Sequence, residues 1–428
     1  MRSLLLVDHS AFVDGWLCQT ERMLELSLGL RKWGWECSVL TSKRNGPVLE
    51  PSAEKAFPGR VIHTPFGISP YPRRVDRRGL RALWRLACGA IGMSRLVHAP
   101  EAGWGRRLKQ CPNLQEMCGG KVDVLWAICP GTLQNIAAAS ELATRLSCPY
   151  VIEFQDPCPY PRQKLTRFEE RTLYAGLESC AAIVTTTESY AGHLSNQHNC
   201  CWGKTTAVYL SFDDAWVSRQ FPKSRQPGML TLIHAGSLPG GKMRNAISLT
   251  KALARAAELE PATKGKIQLR LFGNCSGVQE AADWAEALDN PESVTTYPAI
   301  SSHEVHEEMG RSDVLVVIKH PDPAYRMQIP GKLFQYLPFG KPILGIMETG
   351  GEAADVLQKS GLGIISSHEE VDLTTRQLLE LWRDRERLAE VYRADWDYIM
   401  QFSRSHMAQK VSHLLDSIVT RNTSLQES

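Results

Sequence analysis

Residues 230–241 read LTLIHAGSLPGG, and this stretch decides the fold class. The aliphatic run 230–234 has the length and composition of a buried strand, and the loop 235–241, with its glycines and proline, follows directly. Residues 246–259 then show helical periodicity, and residues 267–272 form another aliphatic run. Strand, glycine-bearing loop, helix and strand in this order predict a parallel sheet with crossover helices.

The first half of the chain has the same order of elements. An aliphatic run at residues 4–7 is followed by a loop that contains Gly15 and by a helical pattern through 23–33. Further short aliphatic runs and helical patterns continue to residue 185. The pattern restarts only at residue 230, after the polar, proline-bearing segment 211–228, which we interpret as a linker.

Two α/β units with this layout predict two facing Rossmann-like domains with a C-terminal helical segment. We place the first domain at residues 1–210 and the second at 229–400, joined by the linker 211–228. Residues 401–428 predict a helix that packs back on the first domain. Ligands of such sheets bind at the carboxyl ends of the strands, so we expect the site in the cleft between the domains.

Composition excludes several other classes of protein. The 428 residues carry a formal net charge of +3, from 49 basic and 46 acidic side chains, which argues against a dedicated nucleic-acid binder. The 12 cysteines form neither Cys-x-x-Cys pairs nor Cys/His clusters, so we expect reduced thiols and no metal site. Because no apolar run reaches the ~20 residues that span a bilayer, we expect a cytoplasmic protein.

One segment is far more basic than the chain as a whole, whose net charge is only +3. Residues 73–85 contain six arginines, opposed only by Asp76, with leucines and Trp84 between them. Two interpretations remain open. Residues 73–86 could contact an anionic membrane surface peripherally. Alternatively they form a solvated helix whose Leu/Trp stripe packs on the core.

A second stretch, residues 329–344, reads IPGKLFQYLPFGKPIL. Pro330 suits the first turn of a helix, and Gly331 leaves the first amides of that helix open to a phosphate. Lys332 adds a full charge, and Gln335 lies one turn further along the same face, within reach of a ribose. The alternative is an ordinary helix with a solvated lysine.

Residues 329–344 resemble a segment of the family 4 glycosyltransferases, which have the GT-B fold. Other segments resemble the same family in the same order, namely 99–104 (APEAGW), 151–157 (VIEFQDP), 209–214 (YLSFDD) and 234–242 (HAGSLPGGK). The resemblance spans roughly residues 1–420. It implies a polysaccharide-biosynthesis-type enzyme that transfers a sugar from a nucleotide-diphosphate sugar, a UDP-sugar above all, with retention and without a required metal or cofactor. The acceptor would be a glycan, a glycolipid or a small molecule bound by the first domain.

The resemblance also implies site residues. Lys242 and Lys332 would offset the charge that grows on the departing nucleoside diphosphate, with Arg244 as an alternative to Lys242. Asp156 would orient the acceptor hydroxyl or the transferred sugar, although Asp-Pro after a strand is equally ordinary turn chemistry. The remaining positions expected at the donor are Gly15, Gly236, Ser237, Gly273, Asn274, Pro330, Gly331, Leu333 and Gln335.

The sequence departs from the family pattern at two places. Gln335 and Met327 stand where the family has a pair of glutamates, and residues 153–156 read EFQD where DFRD is usual. Glutamine can hydrogen-bond a ribose but carries no charge. Two alternatives therefore stay open: a nucleotide-sugar 2-epimerase of the same fold, and a non-catalytic subunit that binds sugar nucleotides or glycans. The histidines His9, His98 and His234 are expected to be structural, and His9, just after the first strand, is the one to test.

Overall fold

The computed structural model describes residues 2–8, 11–12, 17–43, 51–65, 104, 108, 111, 113–129, 133–159, 164–165, 167–217, 219, 228–241, 243–273 and 275–427. The chain divides into two compact units. The first comprises Met1–Tyr209 and Arg404–Ser428, and the second comprises Leu210–Ser403. Several predictions fall outside the described residues, namely those on Gly15, Lys242, Asn274, His9, His98 and the basic segment 73–86.

The first unit is built on a seven-stranded sheet in the order β3-β2-β1-β4-β5-β6-β7, in which all neighbouring strands are parallel. Its strands are β1 (Arg2–Val7), β2 (Trp35–Lys43), β3 (Arg60–Pro65), β4 (Val124–Cys129), β5 (Tyr150–Phe154), β6 (Ala182–Thr185) and β7 (Thr205–Ala207). Its described helices up to residue 209 are α1 (Leu17–Arg31), α2 (Pro51–Ala56), α3 (Leu114–Met117), α4 (Gln134–Leu146), α5 (Arg167–Ser179) and α6 (Glu188–Gln197).

The second unit is built on a six-stranded parallel sheet in the order β10-β9-β8-β11-β12-β13. Its strands are β8 (Leu230–Ala235), β9 (Ile267–Phe272), β10 (Val294–Tyr297), β11 (Val314–Ile318), β12 (Ile343–Ile346) and β13 (Gly363–Ser366). Its described helices are α7 (Ile247–Leu259), α8 (Ser276–Ala287), α9 (Ser302–Arg311), α10 (Gly331–Tyr336), α11 (Glu352–Lys359), α12 (Val371–Arg383), α13 (Leu388–Val391) and α14 (Trp396–Met400).

Two interior strands of each sheet are buried along their whole length. Every residue of β4, β5, β11 and β12 is buried. A parallel sheet with helices on both faces hides both sides of each strand, which is why these segments are almost entirely apolar, Glu153 excepted, and do not alternate. The predicted fold class, two Rossmann-like α/β units with a C-terminal helical segment, is confirmed.

The last helix, α15 (Arg404–Glu427), belongs to the first unit and packs on α1. Arg404 Nη2 donates to Glu25 Oε1 at 2.9 Å. The two helices approach closely at Gly29, where a Cβ atom would lie 2.6 Å from the Cβ of Ala408. A residue larger than glycine at position 29 would therefore push the two helices apart.

The described part of segment 211–228 belongs to the second unit, which begins at Leu210. Phe212 is buried there, and its amide donates to the carbonyl of Phe402 at 3.1 Å. A short 3-10 helix, Asp214–Trp216, follows it, begun by the Asp213 side chain, which accepts a hydrogen bond from the Ala215 amide. This part of the segment is thus packed and hydrogen-bonded within the second unit.

Candidate functional site

The second sheet reverses its strand order between β8 and β11, which are neighbours in the sheet but far apart in the chain. Open parallel sheets bind ligands at such a switch point, beyond the carboxyl ends of the strands. His234, near the end of β8, is buried, and its Nδ1 lies 2.9 Å from the carbonyl oxygen of Val316 in β11. The histidine ring therefore bridges the two strands that flank the switch point.

Lys332 reaches this point from α10. Its Nζ donates to the carbonyl of Ala235 at 2.7 Å and lies 3.1 Å from Nε2 of His234. Because Nδ1–H of His234 donates to a carbonyl, Nε2 carries the lone pair and accepts from the lysine. The ring is neutral because burial, and then the Lys332 charge, lower its pKa well below the ordinary value.

The charge balance at Lys332 is unusual. The residue is only half-buried, yet protein atoms surround its amine, and this desolvation, followed by the charge of Arg244, lowers its pKa to about 7. No carboxylate among the described residues forms an ion pair with Lys332 or Arg244. Two cationic side chains that form no ion pair with a described carboxylate make a site that favours an anion.

Glycines shape the wall of this site. Gly236 has a φ of +114°, and a Cβ atom there would lie 2.9 Å from Nζ of Lys332. A Cβ atom on Gly273 would lie 2.9 Å from the carbonyl oxygen of Gly236, so the loops after β8 and β9 also touch through glycine. Only glycine at these positions leaves the backbone and the lysine amine this close.

The glycine loop is fixed on the start of α8. The amide of Gly277 donates to the carbonyl of Leu238 at 2.9 Å, and the amide of Gly241 donates to Oε2 of Glu280, also at 2.9 Å. A Cβ atom on Gly277 would lie 2.5 Å from the Leu238 carbonyl oxygen. These contacts hold the loop in one conformation before any ligand arrives, which lowers the entropic cost of binding.

The structure brings some of the predicted donor residues together. Gly236 and Gly273 meet Lys332 as described, and Ser237 is exposed beside them, with Oγ 3.5 Å from Sγ of Cys275. Gln335 is half-buried on α10.

Two predictions about the start of α10 need comment. The sequence predicts Pro330 in the first turn of α10, but Pro330 is the N-cap, with ψ at 128°. The helix begins one residue later, at Gly331. The amide of Leu333 donates to the carbonyl of this N-cap residue, Pro330, at 2.9 Å. The Leu333 side chain is fully buried. The structure therefore gives Leu333 a packing role, and its contact with a donor stays a prediction.

Sequence reasoning missed a buried ion pair beside this site. The side chain of Lys319, the first residue after β11, is only 3% exposed, and its ammonium contacts the carboxylate of Glu348 after β12. The same ammonium donates to the carbonyl of Arg326 at 3.1 Å. Lys319 thus ties together the loop that leads to α10 and the loop that leads to α11. A lysine directly after an all-aliphatic strand is the signal that could have revealed it.

In the first unit, the switch point lies between β1 and β4. Asp8, the residue after β1, is fully buried, and Asn135 at the start of α4 donates to its Oδ1 at 3.1 Å. This pair was also missed, because Asp8 sits in the sequence as an ordinary polar residue at a strand end. It places a carboxyl group at the position where the first sheet would bind a ligand.

Residues 153 and 156 lie in different environments. Glu153 is buried, accepts from Arg22 Nε at 2.8 Å and from Trp126 Nε1 at 2.6 Å, and therefore serves the core. Asp156 is half-buried in the turn after β5, where Thr186 Oγ1 donates to the Gln155 carbonyl at 2.8 Å. Both interpretations of Asp156, ligand contact and turn chemistry, remain compatible with this position.

Three further observations concern the described part of the chain. No helix in it has the length and apolarity to cross a lipid bilayer. It contains no group of three or more His, Cys, Asp or Glu side chains arranged to hold a metal ion. The cysteines whose side chains are described there are free thiols, and burial raises the pKa of most of them, for example that of Cys37 to about 12 and that of Cys180 to about 11.

No protein-family model and no curated protein sequence matches this chain. Solved structures match it over nearly its whole length. Sucrose-phosphate synthase from Thermosynechococcus elongatus superposes with a TM-score of 0.68 at 13% identity, over 98% of this chain and 100% of its own. A glycosyltransferase from Rickettsia africae does so with a TM-score of 0.65 at 12% identity, over 98% of both chains.

A third similar structure is named for a different activity. The putative UDP-N-acetylglucosamine 2-epimerase from Listeria monocytogenes superposes with a TM-score of 0.56 at 11% identity, over 96% of this chain and 94% of its own. At such identities the likenesses concern the fold. The sheet orders, the switch points and these superpositions together show that the chain has the GT-B fold.

Proposed function

We propose that this protein is a glycosyltransferase that uses a nucleotide-diphosphate sugar as donor and binds that donor on its second unit. The observation that carries the proposal is the amine of Lys332, held against the glycine loop at the switch point, with Arg244 nearby and no described carboxylate paired with either. A diphosphate supplies the negative charge that this site lacks.

The same charges suit the chemistry of transfer. The bond between the sugar C1 and the β-phosphate oxygen breaks, a new bond forms between C1 and the acceptor oxygen, and the acceptor hydroxyl loses its proton. Negative charge grows on the departing nucleoside diphosphate during this step. Fixed cations at that position stabilise the transition state more than the ground state, and we assign this role to Lys332, whose amine donates to the Ala235 carbonyl beside the glycine loop. Lys242 remains a predicted second cation.

The rest of the proposal extends the family resemblance. A UDP-sugar is the expected donor, transfer proceeds with retention and without a required metal, and the acceptor is a polysaccharide, glycolipid or small molecule bound by the first unit. Asp156 and Asp8, at strand ends of that unit, are the carboxyl groups that would orient an acceptor hydroxyl. A cytoplasmic location, with peripheral membrane contact through residues 73–86, belongs to the same proposal.

The test begins with the donor. Purified protein is incubated with radiolabelled UDP-glucose, UDP-N-acetylglucosamine or ADP-glucose and a mixture of glycan and lipid acceptors, and label transfer is measured. Wild type should transfer label from at least one donor. Lys332→Ala should abolish transfer and leave the circular dichroism spectrum unchanged. Lys264→Ala, at an exposed lysine that pairs only with the exposed Asp289, is the matched control. Full transfer by the Lys332 variant contradicts the assignment of this site.

A 2-epimerase is the second candidate, favoured by the epimerase structures among those that superpose. An epimerase converts UDP-N-acetylglucosamine without any acceptor, whereas a transferase needs one. Conversion of the sugar nucleotide alone, followed by NMR, therefore decides between them. Donor binding without turnover under every condition would instead favour the non-catalytic subunit that Met327 and Gln335 leave open.

A further inference from the structure

We infer that the second unit takes up one proton from solvent when a sugar nucleotide binds, and that the Lys332 amine is the group that receives it. This inference rests on the proposed function, because it concerns the same donor site. Its first support is a count of hydrogen bonds. The lysine Nζ has two fixed contacts, with the Ala235 carbonyl at 2.7 Å and with His234 Nε2 at 3.1 Å.

A neutral amine already satisfies both contacts. It has two N–H groups, and each fixed partner is an uncharged acceptor. The third N–H exists only in the ammonium form, and no described residue accepts from it. The described residues therefore offer this extra proton no partner, and a buried charge without a partner costs several kcal/mol.

On balance, the charged and titratable neighbours of Lys332 also oppose protonation of its amine. From the loop after β8, Arg244 adds a positive charge that opposes protonation of Lys332, and desolvation opposes it more strongly. His234 in β8 stays neutral, and from the start of α8 the thiol of Cys275 has only a smaller, opposite effect. From α10, the hydroxyl of Tyr336 accepts from the Ala235 amide and provides no counter-charge.

A bound diphosphate reverses this balance. It brings negative charge beside the amine and supplies acceptors for the third N–H, so it favours the ammonium form. With the pKa of the free site at about 7, most of the amine is neutral at pH 8, and binding must then draw in a proton. By linkage, the apparent affinity falls as the pH rises, by about tenfold for each unit well above 7.

Isothermal titration calorimetry tests this directly. UDP-glucose is the first probe and UDP-N-acetylglucosamine the second, because a sugar nucleotide has no phosphate proton that titrates near neutral pH. Heats are compared at one pH in buffers of different ionisation enthalpy, without phosphate. We expect an uptake of about 0.9 proton per ligand at pH 8 and about 0.1 at pH 6, the neutral fractions for a pKa of about 7.

Two variants assign the proton. Lys332→Arg keeps a cation that does not titrate, so its binding should proceed without proton uptake and with an affinity that is flat in pH. Lys264→Arg, at an exposed site, should keep the uptake of the wild type. If the arginine does not fit beside Gly236, Lys332→Met, which removes the titrating amine, should likewise bind without proton uptake, and the pH series of the wild type still decides whether a proton is taken up at all.

The outcomes separate the two proposals. Binding of UDP-glucose without proton uptake at pH 8, or with an affinity that does not change between pH 7 and pH 9, overturns the inference and leaves the proposed function standing. Unchanged uptake in Lys332→Arg also overturns it, because another group then takes the proton. No binding of either sugar nucleotide overturns the proposed function, and the inference falls with it.

Discussion

Nζ of Lys332 lies 3.1 Å from Nε2 of His234, although the two residues are 98 positions apart in the sequence. A lysine and a histidine at this distance cannot both carry a charge without a large cost in a desolvated site. Burial, and then the Lys332 charge, keep the His234 ring neutral by lowering its pKa, while the Val316 carbonyl, which accepts from Nδ1, fixes the tautomer. The histidine therefore holds the lysine in place without competing for a proton.

Replacement of His234 tests this positioning role. His234→Leu removes the acceptor for Lys332, whereas His234→Gln keeps an amide that can accept and donate. A hydrogen bond to a charged group contributes about 1.5–3 kcal/mol, so we expect kcat/KM to fall about 10- to 100-fold in the leucine variant and less in the glutamine variant. Equal activity of the two variants would show that the ring does not orient the amine.

Gly236→Ala tests the close approach of the loop to the lysine. The new methyl group would lie 2.9 Å from Nζ of Lys332, at a backbone φ of +114°. The strain costs about 1–2 kcal/mol of stability, and the displaced amine should weaken donor binding at least about tenfold. Gly228→Ala is the control, because its φ is +76° and nothing lies within 4 Å of its Cβ position. If both variants bind the donor equally well, the contact with Lys332 has no part in binding.

The pH dependence of stability follows from the Lys332 pKa. In the folded protein this pKa is about 7, below the ordinary value of 10.5, so the unfolded chain binds more protons between these values. The lysine therefore lowers stability most below pH 7, and the penalty fades as the pH rises toward about 10. Lys332→Met should be more stable than wild type near pH 6, with a difference in the free energy of unfolding that shrinks at about pH 9. Urea unfolding across this range measures it, and a difference that is constant with pH is the contrary result.

The buried pair of Arg22 and Glu153 should dominate the polar contribution to the core of the first unit. Its side chains are 1% and 0% exposed. Glu153→Gln leaves the guanidinium without its counter-charge, and we expect a loss of about 3–5 kcal/mol. Glu258→Gln, which breaks the exposed pair with Arg255, should leave the free energy of unfolding nearly unchanged, because solvent screens that pair. Denaturant unfolding compares the two, and similar losses would place Glu153 outside the core network.

Much of the secondary structure could be predicted from local pattern. The strand β9 occupies residues 267–272, as its apolar run indicates, and the ends of β1 and β8 lie within two residues of the ends of their runs. Other strands are not predicted by an apolar run. One of them is β10, which reads VTTY and has one exposed and two half-buried residues. Edge strands such as β3, β7 and β10 bury less of their surface, so they need no long apolar run and leave a weaker signal.

The candidate site was predictable only in part. The glycines at positions 236 and 273 and the lysine at position 332 are visible as motif residues. His234 was expected to be structural, and neither Lys319 nor Asp8 was singled out. A lone polar residue at the end of a strand looks the same in sequence whether it faces solvent or the neighbouring loop, so its partner remains hidden.

The sequence by itself determined the alternation of strands and helices, the restart at residue 230 and the glycine loop that follows, because hydrophobic periodicity and glycine placement are local properties. Only the tertiary structure decided that β8 lies beside β11, and with it that Lys332 meets His234 and Lys319 meets Glu348. Contacts between residues so far apart depend on strand order and on the packing of loops at one sheet edge. No short window of residues contains that information.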